Sequence, residues 1–451
     1  MIDMTLGEIA ALSGGVWTGE ATLLNAHPAK IVTDSRDAGE GSLFIAFRGE
    51  HTDGHRYIPD VWKRGALAVL CEEKGAAGEG RIVVEEVFAA LRKIASARRN
   101  ERDIPFVGVT GSVGKTTAKE MIAAVLSEHF ATFKTPGSMN GQVGVPIALM
   151  TMPHGTEAAV VEMGISLPGE MKKLGELVRP GVGVFMNIAD AHLEALHDRE
   201  GVLREKSDML CAAGAEGVAV VNGDDALLRG HDFGVRKITF GLGGNCDVRA
   251  ESLGNGDQGQ RWRILAGAHD FPVVIPAYGV YMVYAALAAA AVGFTLGLTE
   301  EEIAAGIGHY ATVGHRSRLL RVHGMTIVDD CYNANPYSDR FAIDSLMELP
   351  GRHVCVLGDM NELGENSAEL HRGIGAYARE KGVDALYTAG NMSVHYGEGA
   401  GGIARHFESR EALAKALPAL LREGDAVLIK ASHSCRFEYV LDALLEEIED
   451  E

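Results

Sequence analysis

Ile104-Pro105-Phe106-Val107-Gly108-Val109-Thr110-Gly111-Ser112-Val113-Gly114-Lys115-Thr116-Thr117 is the stretch that decides the fold. Its first half is a short apolar run of the kind that forms a buried strand. Its second half is a glycine turn opening into a helix that starts Lys-Thr-Thr. Glycines allow backbone N–H groups to face phosphates, and a helix N-terminus adds partial positive charge. Thr110, Gly111, Ser112, Val113, Gly114, Lys115, Thr116 and Thr117 therefore read as a phosphate-binding loop. Lys115 would neutralise the β- and γ-phosphates of a nucleotide, and Thr116 would ligate Mg²⁺. The loop departs from G-x-x-x-x-G-K-[ST] at one place, because Val109 holds the first glycine position. The alternative is a glycine turn before an ordinary helix. A strand before the turn and an amphipathic helix over Lys115 to His129 weigh against it.

Outward from the loop, further apolar runs at Ala158 to Met163, Val182 to Ile188 and Val218 to Val221 each lead into a polar tip. Strands alternating with helices predict a mostly parallel sheet, with functional residues at the carboxyl ends of its strands. Two tips carry candidate metal ligands, Glu162 after one run and Asp190, His192 and Glu194 after another. From the residues alone each reads equally well as a ligand or as a cap or helix-start charge. Lys206, in Arg204-Glu205-Lys206-Ser207-Asp208, reads by default as part of a solvated helix face.

The remaining sequence flanks this region on both sides. At 451 residues the chain predicts about three domains. Residues 1–102 alternate short β-like runs (Ser42 to Phe47, Ala66 to Cys71, Arg81 to Val84) with helices, and the charged segment Arg98 to Asp103 reads as a linker. Residues 103–313 form the central region and end in the apolar helix Tyr281 to Leu298, read as buried against a sheet. Residues 314–451 alternate strands and helices as a second open α/β sheet. There, Asp329-Asp330-Cys331-Tyr332-Asn333-Ala334-Asn335-Pro336 has the polarity for ribose or base contacts, or for a structural turn. Thr33-Asp34-Ser35-Arg36 and Thr52-Asp53-Gly54-His55 are small polar turns that either bind a ligand or cap the chain locally.

Composition excludes several classes. Hydrophobic residues make up 47% and charged residues 23%, the balance of a globular protein. A formal charge of -20 argues against a nucleic-acid partner, since phosphate backbones are bound by clustered Lys and Arg. Six cysteines lie far apart with no C-x-x-C pair, which fits reduced thiols better than zinc or a disulfide framework. No secretory signal opens the chain, and no segment reads as membrane-spanning. The expectation is a cytoplasmic monomer.

Thr33-Asp34-Ser35-Arg36, Asp53-Gly54-His55, the loop at Thr110 to Thr117, Val161-Glu162-Met163-Gly164, Ala191-His192-Leu193-Glu194, Asn222-Gly223-Asp224-Asp225, Tyr332 to Pro336 and Leu357-Gly358-Asp359-Met360 together resemble the Mur ligase family, in order and over almost the whole chain. The resemblance implies an α/β protein of three domains. These are a small N-terminal domain for a UDP-sugar peptide, a central P-loop ATPase with a mostly parallel sheet, and a C-terminal Rossmann-like domain. It implies an ATP-dependent amide ligase of peptidoglycan precursor synthesis, joining D-alanyl-D-alanine to UDP-N-acetylmuramoyl-tripeptide through an acyl phosphate. ATP and two Mg²⁺ ions are the implied cofactors, with Thr116, Glu162, His192 and a carbamylated Lys206 as metal ligands. Lys115, Lys206 and His192 are implied catalytic residues. Arg316 or Arg318 is expected to reach the γ-phosphate on domain closure; spacing does not choose, and Arg318 is placed in the catalytic set. Asp330, Asn333 and Asn335 are assigned to the nucleotide, and Ser35, Arg36, Asp53, Gly54, His55 and Asn140 to the peptide substrate.

Three segments depart from the family pattern. Ser138-Met139-Asn140-Gly141 keeps one clear Asn of an Asn-rich turn, Tyr281 and Ala285 stand where His and Asn are usual, and Lys430-Ala431-Ser432-His433 replaces Lys-Gly-Ser-Arg. Competing readings are another Mur-type or folylpolyglutamate-type amide ligase, and a nucleotide-binding switch without ligase chemistry.

Overall fold

The apolar run Phe106–Thr110 is an interior strand of a nine-stranded sheet, buried along its whole length. The computed structural model describes residues 2–49, 52–75, 79–189, 193–256 and 259–449. From one edge the strands run Thr132–Lys134, Ala158–Glu162, Phe106–Thr110, Val182–Phe185, Val218–Asn222, Arg236–Gly241 and Val248–Gly256, all parallel. Gly259–Ala266 and His269–Ile275 then extend the sheet as antiparallel strands, which accounts for the Gly-rich, β-like text before Ile275. Both faces of the parallel part are covered, so its strands are continuous apolar runs instead of alternating ones.

The helix Lys115–Leu126 lies on one face, and Val280–Thr295 packs beside it. The second helix is buried from Ala285 to Gly293, as its Ala-rich sequence predicts. Among the described residues no helix is long and apolar enough to cross a membrane.

The N-terminal part holds a five-stranded sheet in the order Val16–Trp17, Arg81–Val83, Ala68–Cys71, Ser42–Ile45, Lys30–Val32, parallel except at Val16–Trp17. The segment Arg98 to Asp103, expected as a linker, is instead the end of the helix Val87–Asn100 and a rivet to the central part. Arg98 donates to the carbonyl of Met152 at 3.3 Å, and Arg99 donates to those of Val178 at 2.6 Å and Arg179 at 3.2 Å. Arg99 also lies 3.9 Å above the ring of Phe106. The accepting carbonyls sit at or just past the C-termini of the helices Gly144–Thr151 and Glu170–Val178, where backbone oxygens lack helical partners. The charges are therefore spent on helix ends and not on solvent.

The third part is a six-stranded sheet in the order Arg318–Val322, Met325–Asp330, Asp425–Lys430, Arg352–Leu357, Ala385–Ala389, Ala404–Phe407, parallel except for its first hairpin. Asp330 and Lys430 are register partners at the carboxyl ends of neighbouring strands. This edge meets the carboxyl edge of the central sheet across a cavity of about 560 Å³.

Candidate functional site

The loop after Phe106–Thr110 forms one wall of the cavity. Gly114 caps the helix Lys115–Leu126 with φ 78°, a left-handed conformation that a side chain would strain. Asn187, just past the next strand, fixes the loop shape. Its Oδ1 accepts from Val113 N at 2.9 Å and its Nδ2 donates to Val113 O at 3.0 Å. Ser112 N donates to Asn187 O at 3.1 Å, and Ser112 Oγ accepts from Ala189 N at 2.9 Å. Lys115 Nζ is held over the loop by the carbonyls of Gly111 (2.9 Å) and Ser112 (3.3 Å). Val109, the departure from the usual loop, is a fully buried strand residue whose side chain belongs to the core.

Thr116 and Glu162 line one end of the cavity. Glu162 is 1% exposed; its Oε1 accepts from Asn140 Nδ2 at 2.7 Å, and its Oε2 has no hydrogen-bond partner among the described residues. That oxygen has only the Lys119 ammonium, 3.8 Å away, to offset its burial, and the hard oxygen donors of Thr116 and Glu162 suit Mg²⁺. His192 lies outside the described residues, as do Asp190 and the side chain of Glu194.

Lys206 is not on a solvated helix face. It is 1% exposed, beneath the phosphate loop, and donates to Gly111 O at 3.1 Å. Burial and then the neighbouring Lys115 cation push its pKa well below the usual lysine range. An ammonium is no metal ligand, so Lys206 fits a metal only after gaining oxygens.

The opposite wall comes from the third part. Asp330 is committed to its neighbours: Oδ1 accepts from Ser317 N and Oγ at 3.1 Å each, and Oδ2 from Lys430 Nζ at 2.5 Å. Asn335 caps the helix Pro336–Met347, accepting from Ser338 N at 2.8 Å, while Asn333 remains exposed on the wall. Tyr332 OH meets Ser138 Oγ at 2.7 Å, bridging the two parts.

The two candidate arginines are placed differently. Arg318 begins the hairpin strand, is exposed and does not line the cavity, whereas Arg316 does, stacked 3.5 Å above the Tyr332 ring. The intervening Ser317 has φ 53°, so the chain turns sharply and the two arginines diverge. Arg316→Ala is expected to lower turnover about 100-fold and Arg318→Ala less than twofold, read as phosphate release under identical conditions. Equal losses would refute the assignment.

Where the family pattern has His and Asn, Tyr281 is half-buried against the cavity with its hydroxyl unpartnered among the described residues, and Ala285 is core. Tyr284 and Tyr337, one from each part, supply aromatic surface instead. Tyr284 OH donates to Asp224 Oδ2 at 2.9 Å.

Ser35, Arg36, Asp53, Gly54 and His55 do not line this cavity. Asp34 caps the turn at Ser35 and pairs with Arg36 at 2.5 Å. His55 is buried, with Nδ1 2.7 Å from Asp53 Oδ1 and Nε2 accepting from Glu72 N at 3.0 Å. Residues not singled out from sequence include Ser138, Asn187, Arg199 and Tyr337, all on the cavity. Asn187 and Ser138 sit at the polar tips that parallel-sheet logic points to; Arg199 carries no local signal.

Three family profiles match the chain in order: "Mur ligase family, catalytic domain" over residues 28–115, "Mur ligase middle domain" over 109–293, and "Mur ligase, glutamate ligase domain" over 315–433. The chain is 32% identical to the UDP-N-acetylmuramoyl-tripeptide–D-alanyl-D-alanine ligase of Bacillus subtilis (strain 168), with 99% of each covered. Among solved structures it is similar to the MurF ligase from Thermotoga maritima in complex with ADP, at 30% identity and TM-score 0.83, covering 93% of this chain and 98% of that one. It is also similar to a MurF crystal structure from Acinetobacter baumannii, at 28% identity and TM-score 0.88, covering 98% and 99%.

Proposed function

Because the chain belongs to the Mur ligase family, we propose that it joins D-alanyl-D-alanine to UDP-N-acetylmuramoyl-tripeptide with hydrolysis of ATP to ADP and phosphate, a step of peptidoglycan precursor synthesis. The observation that carries this reading is the single cavity with the phosphate loop on one wall and Tyr332, Asn333 and Arg316 on the other, within a chain similar to these ligases from end to end. The free cysteines fit a reducing cytoplasm, and the chain is read as a monomer.

A carboxylate is a poor electrophile, so it must first be activated. Transfer of the γ-phosphoryl group to the terminal carboxylate of the tripeptide gives an acyl phosphate and ADP. The amine of D-alanyl-D-alanine attacks the acyl carbon, and the tetrahedral intermediate expels phosphate as the amine loses a proton. The protein's part is positioning and charge neutralisation. The backbone N–H groups of Gly114, Lys115 and Thr116 at the helix start face the phosphates, while those of Ser112 and Val113 are held by Asn187, and Lys115 and Arg316 face the transferring group from opposite walls. Tyr284 and Tyr337 offer stacking surface for adenine. Thr116, Glu162 and, if carbamylated, Lys206 would hold Mg²⁺, which when bound offsets phosphate charge. Closing the cavity keeps water from the acyl phosphate.

The test is phosphate release with ATP, Mg²⁺ and UDP-N-acetylmuramoyl-tripeptide, adding D-alanyl-D-alanine or single amino acids in turn. Release that depends on the dipeptide, with a matching peptide product, is expected. Release with a single amino acid would point to another ligase of the family, and nucleotide binding without an amide product to a switch.

A further inference from the structure

One helical turn beyond Lys115, on the same face of the helix, Lys119 has no exposed surface. Its ammonium donates to the carbonyls of Thr135 at 2.9 Å and Gly137 at 2.6 Å. It also lies 3.0 Å from Glu120 Oε1 and 3.8 Å from Glu162 Oε2, the carboxylate oxygen without a hydrogen bond among the described residues. A buried ammonium persists only when its surroundings pair it fully. Three of these four partners lead to the metal-binding end of the cavity. Thr135 Oγ1 accepts from Glu162 N at 3.0 Å. Gly137 leads directly into Ser138 and Asn140, and Asn140 donates to Glu162 Oε1 at 2.7 Å. Gly164 N in turn donates to Asn140 O at 2.8 Å, closing the ring of contacts.

We propose that Lys119 is a positioning residue that locks Glu162 and the 135–140 segment to the phosphate-loop helix. The metal-binding carboxylate, Asn140 and Ser138 then keep a fixed place relative to Lys115 and Thr116. The proposal rests on the reading of Glu162 as a cation ligand. Lys119 touches neither phosphate nor metal; it acts through Thr135, Gly137 and Glu162. Glu120 completes its pairing from the adjacent position, and Lys134 pairs with Glu120 from the neighbouring strand.

The test uses the full chain without nucleotide and Mn²⁺ alone as probe, its binding followed by electron paramagnetic resonance, beside kcat and KM for ATP at saturating Mg²⁺. Charge and position make opposite predictions. Removing a cation next to Glu162 would by electrostatics alone tighten Mn²⁺ binding, whereas losing the lock weakens it. Lys119→Met is expected to weaken Mn²⁺ binding 10-fold or more and to lower kcat about 10- to 100-fold, with KM for ATP within about twofold. Thr135→Val is expected to act in the same direction and less. Its effect should be less than additive with that of Asn140→Ala, since both act on one carboxylate.

Mn²⁺ binding that is unchanged or tighter in Lys119→Met, with only thermal stability reduced, would overturn the proposal. If Lys119→Met does not fold, the Thr135→Val and Asn140→Ala pair decides, and strict additivity overturns it. Glu162→Gln is the control. If that variant binds Mn²⁺ as the parent does, the metal reading of the site fails and the proposal with it; if only Glu162→Gln weakens binding, the proposal alone fails.

Discussion

Lys115→Met is expected to lower phosphate release to about a thousandth of the parent rate or less while the protein still folds. Methionine matches the lysine stem in length and volume, so the change removes charge with little loss of packing. The loop does not depend on the ammonium for its shape, because Asn187 and Ser112 hold the backbone at Val113 and Ala189. The ammonium itself sits in a contested field. Burial lowers its pKa, Glu162 nearby favours the charged form, and the cation of Arg316 across the cavity opposes it. Three phosphates entering this space would reverse the balance and secure the charge where the transferring phosphoryl group needs it. The measurement is dipeptide-dependent phosphate release beside a thermal melt. A variant with a melt like the parent's and a rate within tenfold would remove Lys115 from the mechanism.

Lys206→Ala is expected to lose about 100-fold or more in kcat and to regain part of it with acetate or formate. The argument begins with burial. A lysine under the phosphate loop, beside the Lys115 cation, is driven toward the neutral amine. The neutral amine is the form that adds to carbon dioxide, and the product carries a negative charge and oxygens in place of a positive charge. Opposite Lys115 that exchange turns repulsion into attraction. Short carboxylates entering the space left by alanine would restore oxygen donors at the same point. A carbamate carbon signal from protein equilibrated with ¹³C-bicarbonate, absent in the variant, gives the direct check. An unimpaired Lys206→Ala enzyme would exclude carbamylation as a requirement.

The sequence made some of these features plain and hid others for physical reasons. Strands buried on both faces advertise themselves as apolar runs, so the central sheet and the strand end carrying Glu162 were legible, while Asn187 stayed hidden inside the run read as Val182 to Ile188. The loop was legible because glycine at Gly114 and the Lys-Thr-Thr start are local requirements. Arg98 and Arg99 misled because the carbonyls of Met152, Val178 and Arg179 that they bind lie 54 or more residues away. Lys206 and Lys119 look like any other helix lysines; their burial comes from a turn and a segment distant in sequence. Only the family resemblance singled out Lys206, and nothing singled out Lys119. Arg316 and Arg318 diverge at one residue, Ser317, whose left-handed backbone no composition rule predicts.

The cavity's two walls belong to different sheets, joined at the Ser138–Tyr332 hydroxyl contact. A small molecule filling it therefore acts as a molecular glue. Its measured affinity is expected to include the free energy of holding the two walls together as well as its own contacts. Two inhibitors with the same contacts to the phosphate loop would then differ in potency according to how well each rewards docking. Tyr332→Phe, which removes the bridging hydroxyl and leaves the ring beneath Arg316, would weaken a wall-spanning compound while sparing one confined to the loop.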